Sequence, residues 1–151
     1  MYNIIKELHS GFRYIAVVLI VVAILFAFIG WLGKKEYKNG NRLVNLFAMI
    51  SLHTQLLIGL VLYFYSPIVK YSVPVSSAGL ISQHAFFKYL HIAFMLLAIL
   101  VLTIGSAKAK RALKASAQYQ TILIWYTVAL ILILIAIPWP FSPFASRPLF
   151  R

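Results

Sequence analysis

Residues 15–32 read IAVVLIVVAILFAFIGWL, and residues 33–42 follow as GKKEYKNGNR. The first stretch holds eighteen consecutive positions with no charge and no strongly polar side chain. As a helix rising 1.5 Å per residue it is about 27 Å long, close to the hydrocarbon thickness of a bilayer. Lys6 gives a positive start and an apolar run follows, which is the outline of a signal peptide. The run is too long for a signal core, however, and it ends in Gly33-Lys34-Lys35 rather than at a small-residue cleavage site. It is therefore expected to stay as a first membrane helix, over about 11–32, with Leu8 and His9 on its leading turn. The segment after it, polar and glycine-containing, has no place in hydrocarbon and is a turn.

The same alternation of apolar run and polar break recurs along the chain. Further spans are expected at about 43–65, 86–106 and 121–137. The second ends at Ser66-Pro67 behind the aromatic cluster Tyr63, Phe64 and Tyr65, the kind of belt that marks a membrane interface. The connection from Ser66 to Gln83 is the longest, and its Val73, Val75, Leu80 and Ile81 suit the headgroup region or the rim of a bundle. A basic, Ala-rich link follows the third span, where the helix is expected to continue into water. The tail, 138–151, has prolines at 138, 140, 143 and 148 among Trp139, Phe141, Phe144 and Phe150, so it is not regular helix. Its aromatics suit an interface or a clasp on a neighbouring surface. The expected fold is all-α: one transmembrane domain over 1–151, an integral membrane antiparallel four-helix bundle.

Composition agrees. The chain of 151 residues is 63% hydrophobic and 11% charged, against about a quarter charged in soluble domains. The formal net charge is +12, with only two acidic side chains. In a soluble protein that balance would suggest nucleic acid. Here the basic clusters around Lys34 and Lys110 adjoin apolar spans, where such residues set topology and touch anionic lipid. No nucleic-acid partner is expected; the bilayer is. Cysteine is absent, which excludes disulfides, thiolate metal sites, iron–sulfur clusters, c-type haem attachment and thiol nucleophiles. Lys34, Lys35, Lys38, Arg42, Lys108, Lys110, Arg111 and Lys114 fall on one side, and Lys6, Arg13, Lys70, Lys88, Arg147 and Arg151 on the other. The positive-inside tendency then places both termini away from the cytoplasm.

Ionisable and polar residues inside a membrane are costly and so are the first functional candidates. They are few. His9 and Arg13 lie one turn apart in the first span. Ser51, His53, Thr54 and Gln55 sit in the second. His84, Lys88 and His91 lead the third, with Thr103 near its end. No span holds an acid, which argues against a carboxylate-lined proton or cation pathway. His53 lies eleven residues beyond Arg42, roughly 16 Å deep, and His91 seventeen before Lys108, roughly 25 Å from the same face. A shared iron between them would need tilt or favourable rotamers. His9 and His84 match better, at roughly 36–38 Å, near the outer interface.

Bundle cores commonly hold cofactors between facing helices, and two histidines from different helices suit a b-type haem. Arg13, Lys88 and Lys70 lie towards the same side as three of the histidines and can pair with propionates. Gly59, Ala93 and Ala98 can leave room for a macrocycle or simply let helices approach. The plainer readings are interhelical hydrogen bonds for His53 and His91, headgroup contacts for His9 and His84, and snorkelling for Arg13 and Lys88.

With HSGFR at His9–Arg13, HTQ at His53–Gln55 and KYLH at Lys88–His91, the chain resembles small bacterial four-helix proteins labelled cytochrome b-like. It is more distantly similar to histidine-bearing copper-resistance membrane domains. The resemblance implies a bacterial cytoplasmic membrane location, haem b held by histidines on two helices, and electron exchange with quinone. It implies His53 and His91 as iron ligands and His9 as the alternative partner. The competing expectation is a cofactor-free accessory subunit of a larger membrane complex, supported by the small size and a tail suited to docking. A small transporter is disfavoured by the missing intramembrane acid and unbroken spans. No phosphate-binding loop, H-E-x-x-H or nucleophile elbow occurs, and no catalytic residue is assigned.

Overall fold

A computed structural model describes residues 1–71 and 80–147. The expected features at Val73, Pro74, Val75, Gly79, Pro148, Phe150 and Arg151 lie outside these. Four helices are long and apolar enough to cross a membrane: α1 (Tyr2–Leu32), α2 (Asn39–Tyr65), α4 (Gln83–Arg111) and α5 (Ala115–Ala136). A single short turn of helix, α3 (Pro67–Lys70), follows α2. There is no strand among the described residues. The chain is an all-α, antiparallel, multi-pass bundle.

Each helix is longer than its apolar run. α1 starts at Tyr2 because Ile4, Ile5 and Leu8 continue the apolar pattern and nothing before Gly11 breaks a helix. α4 runs on to Arg111, leaving only Ala112–Lys114 as the link to α5. α1 closes with Lys34 in a left-handed conformation (φ 48°) while the Lys35 N–H reaches back to the Gly30 carbonyl at 3.0 Å. A side chain there costs roughly 1–2 kcal/mol that glycine avoids. Lys34→Gly is expected to raise the free energy of unfolding by about 1 kcal/mol, seen as a higher Tm in thermal unfolding in detergent.

The inward faces carry small residues at helical spacing. Ala16, Ile20, Ala23, Ala27 and Gly30 form the buried stripe of α1, and Ala98, Leu102, Gly105 and Ala109 that of α4. In lipid the bundle gains nothing from hiding apolar surface, so association depends on close packing, which small side chains permit. The outward faces hold Ile15, Leu25 and Ile29 of α1, Leu57 and Phe64 of α2, Leu100 of α4, and Ile124 and Ile131 of α5, all exposed. This is the surface that a bilayer solvates.

Around the bundle, α1 packs on α2 and on α5, and α5 packs extensively on α4, while α2 and α4 touch more sparingly. α1 and α4 are thus diagonal. The end with the interhelical turns is closed by hydrogen bonds. Asn41 Nδ2 donates to the Tyr119 hydroxyl (3.0 Å), which donates to the Glu36 carbonyl (2.9 Å); Asn45 Nδ2 donates to the Tyr37 hydroxyl (2.5 Å), and the buried Tyr126 hydroxyl to the Asn45 carbonyl (3.2 Å). Burial holds the Tyr37 hydroxyl above its ordinary pKa, so it stays neutral in this network.

At the other end the tail leaves α5 as irregular chain, as its prolines require. It folds back on its own bundle. The Leu80 N–H donates to the Pro143 carbonyl (2.8 Å), the Ile81 N–H to that of Phe144 (3.4 Å), and Ala145 is fully buried.

Candidate functional site

A cleft opens at this second end, between the diagonal helices α1 and α4. It runs from Tyr2, Lys6 and Arg13 down to Ile20, Leu52 and Ile99, with a volume of about 170 Å³. Its outer part is lined by His9, Arg13, Gln55, His91 and Arg147; its inner part is aliphatic. Among the described residues the lining includes three cationic side chains and no acid.

Local structure aims His91 into this space. Residues Phe86–His91 form a π-helical segment inside α4, a widened turn that recurs at functional sites because it redirects side chains. It leaves Phe86 fully buried, with the Phe86 and Phe87 rings 5.9 and 5.7 Å from that of His91. His91 Nδ1 lies 2.8 Å from the Ala136 carbonyl of α5. A carbonyl only accepts, so Nδ1 carries the proton and Nε2 keeps the lone pair. The last carbonyls of α5 have no intrahelical donor, and this one orients the ring.

His9 comes from the second turn of α1. Its ring centre is 6.4 Å from that of His91, with the planes at 72°. Its Nδ1 is buried without a hydrogen-bond partner, as is Gln55 Oε1. Gln55 Nε2 donates to the His9 carbonyl (2.8 Å), tying α2 to α1. Gly59 makes room for the ring: a Cβ there would lie 2.9 Å from His9 Cε1, so any side chain would push the imidazole from this position.

The other sequence candidates lie elsewhere. His53 Nδ1 donates to the Met49 carbonyl (2.8 Å) and Nε2 lies 3.4 Å from Thr103 Oγ1. Thr103 is twelve residues beyond His91, about 18 Å along α4. The structure thus does not bring His53 and His91 together; His53 joins α2 to α4 with both nitrogens engaged. His84 Nδ1 donates to the Ile68 carbonyl (2.7 Å), tying α4 to α3. Lys88 lies over the Tyr89 ring (5.5 Å) and Lys70 over that of Tyr65 (5.9 Å), both away from the cleft lining. Gln55 was legible as an intramembrane polar residue. Arg147 was not: nothing in the sequence distinguishes it from Arg151 in the same tail.

The donor set discriminates between ligands. No group of three or more His, Cys, Asp or Glu able to cage a bare metal ion occurs among the described residues. A macrocycle supplies its own equatorial ligands and asks the protein for two axial ones. Metal–imidazole bonds are about 2 Å long, so two in line, with the ring radii added, place ring centres about 6 Å apart. The 6.4 Å between the His9 and His91 ring centres is close to that spacing; the cleft of about 170 Å³ is smaller than a macrocycle, so α1 and α4 would have to part to admit one.

Comparison with known protein families, with curated proteins and with solved structures gives no match for this chain. The likeness to cytochrome b-like proteins rests on the histidine pattern alone.

Proposed function

We propose that this chain is a membrane b-type haem protein, acting in electron transfer, in which His9 and His91 would hold the haem iron. The observation that carries this reading is the pair of imidazoles 6.4 Å apart on diagonal helices, one of them oriented through Nδ1 by the Ala136 carbonyl. Ligand histidines are commonly oriented in this way by their second nitrogen. Bound haem would supply a one-electron couple. The residues around it would then hold the rings, exclude water through the aliphatic inner cleft and keep the site within the bundle. Quinone is the electron partner that the bilayer itself offers. The basic turn end would face the cytoplasm of a bacterial cell, leaving the cleft mouth and both termini on the opposite side.

The reading as a cofactor-free accessory subunit has less behind it. One of its sequence supports was a tail suited to docking, and that tail pairs with its own chain at Leu80 and Ile81. Partner subunits remain compatible with the haem reading.

The test is the absorption spectrum of protein purified from haem-replete cells, with pyridine haemochrome analysis. The expected result is a Soret band and a b-type haemochrome at about one haem per chain. A folded, colourless preparation would overturn the proposal.

A further inference from the structure

We infer that the turn end of the bundle carries a site for one anionic phospholipid, between the end of α1 and the start of α2. Lys35 and Lys38 take its phosphate, and Phe26 and Ile29 take its acyl chains. This site lies at the opposite end of the bundle from the histidine cleft and does not rest on the haem reading. Three observations point to it.

The first is shape. A second cleft, of about 600 Å³, opens between α1 and the turn that leads into α2. Tyr119 of α5 lines it, packed so closely on Gly30 that no Cβ would fit between them. The Tyr119 hydroxyl accepts from Asn41 Nδ2 (3.0 Å) and donates to the Glu36 carbonyl (2.9 Å). These bonds hold the turn against the helices, so the cleft is formed before any ligand arrives.

The second is depth. Phe26 and Ile29 stand six and three residues before Leu32, the last residue of α1, about 9 and 4.5 Å along its axis. Both are half exposed, on the surface that lipid solvates. Lys35 and Lys38 follow in the polar turn and line the same cleft. The cleft thus spans the boundary between hydrocarbon and headgroups, with an apolar wall on one side of it and cations on the other. A water-soluble anion would leave the wall unused. A phospholipid uses both.

The third is charge. The cleft is lined by two lysines and one acid, Glu36. Glu36 lies 3.7 Å from Lys38, with both side chains exposed, and this is the one ion pair among the described residues. The balance is a single positive charge, which a headgroup with one phosphodiester and no amine offsets. A zwitterionic headgroup brings its own cation, for which the cleft holds no second acid.

The experiment is native mass spectrometry of the full-length protein in neutral detergent, titrated with phosphatidylglycerol or with phosphatidylcholine of the same chains. The first lipid bound is expected to be held about tenfold more tightly as phosphatidylglycerol. In Lys35→Gln/Lys38→Gln that ratio should fall towards one, through loss of phosphatidylglycerol affinity alone. Unchanged phosphatidylcholine binding reports that the variant is folded; if it too falls, the ratio in single Lys35→Gln decides. Lys110→Gln/Arg111→Gln removes the same charge from the same end, outside the cleft, and should keep the preference. Glycerophosphoglycerol, the headgroup without chains, should not displace the lipid even in large excess. A wild type with no preference overturns the inference, as does a preference that survives the loss of Lys35 and Lys38. Equal losses in the two double variants overturn it too, by showing attraction to the whole basic end. Displacement by the free headgroup overturns it in favour of a soluble phosphate ligand. None of these outcomes bears on the Soret band, by which the haem reading is judged.

Discussion

His91→Ala is expected to strip the purified protein of its Soret band, whereas His53→Ala and His84→Ala keep it. Removing one of the two nitrogens that would hold the iron should cost at least the tenfold or more in affinity that even a ligand's outer hydrogen-bond partners supply. His9→Ala is expected to behave like His91→Ala, since the two ring centres lie only 6.4 Å apart. His53 already spends both nitrogens, on the Met49 carbonyl and Thr103, and His84 ties down α3; their loss should loosen the bundle without touching the iron. Because His91 also anchors on Ala136, a structural effect must be separated from a ligand effect. Imidazole added to the His91→Ala protein does this: it is expected to restore a six-coordinate spectrum, which repair of packing alone would not produce. If His53→Ala bleaches the protein and His91→Ala leaves it coloured, the ligand assignment falls.

Gly105→Ala is expected to lower stability by about 2–3 kcal/mol, the upper range for overpacking. A Cβ at this position would overlap Cβ of Trp125 on α5. The backbone-proximal part of a tryptophan cannot swing away, so α4 and α5 must separate along the most extensive helix contact in the bundle. Packing is what holds membrane helices together. The apparent Tm should fall by roughly 5–10 °C for a domain of this size. Gly11→Ala is the control, since a Cβ there meets nothing within 4 Å. It should be neutral or slightly stabilising, through the better helix propensity of alanine. Equal Tm values for the two variants would refute the close-packing account of the α4–α5 contact.

Much of the fold is legible without coordinates. Runs such as 15–32 admit one structure in hydrocarbon, because every backbone N–H and C=O must be satisfied within its own segment. The number of spans, their order, a turn within 33–42 and the irregular tail all follow from that requirement and from the placement of proline and charge, although α2 begins at Asn39 and takes the last four residues of that segment into helix. Helix ends were less legible. Ile4, Ile5 and Leu8 extend α1 to Tyr2, and α4 runs past Lys108 to Arg111.

That second difference explains why the histidine pairing was obscure. Depth counted from the basic residues places His9 and His91 far apart, because it treats Lys34 and Lys108 as level. Lys108 lies within α4, its ammonium 4.6 Å over the Trp125 ring. Counted from the true helix ends, His9 is twenty-three residues before Leu32 and His91 twenty before Arg111, a difference of only about 4.5 Å.

By itself, then, the sequence determined that four apolar helices cross a bilayer and that a handful of imidazoles lie among them, since hydrocarbon solvation acts on each segment independently. Which imidazoles meet was decided by tertiary structure: the diagonal placement of α1 and α4, the π-helical segment that redirects His91, and the returning tail that brings Arg147 to the mouth. These depend on contacts between residues distant in the chain, and no local pattern of hydrophobicity or charge encodes them.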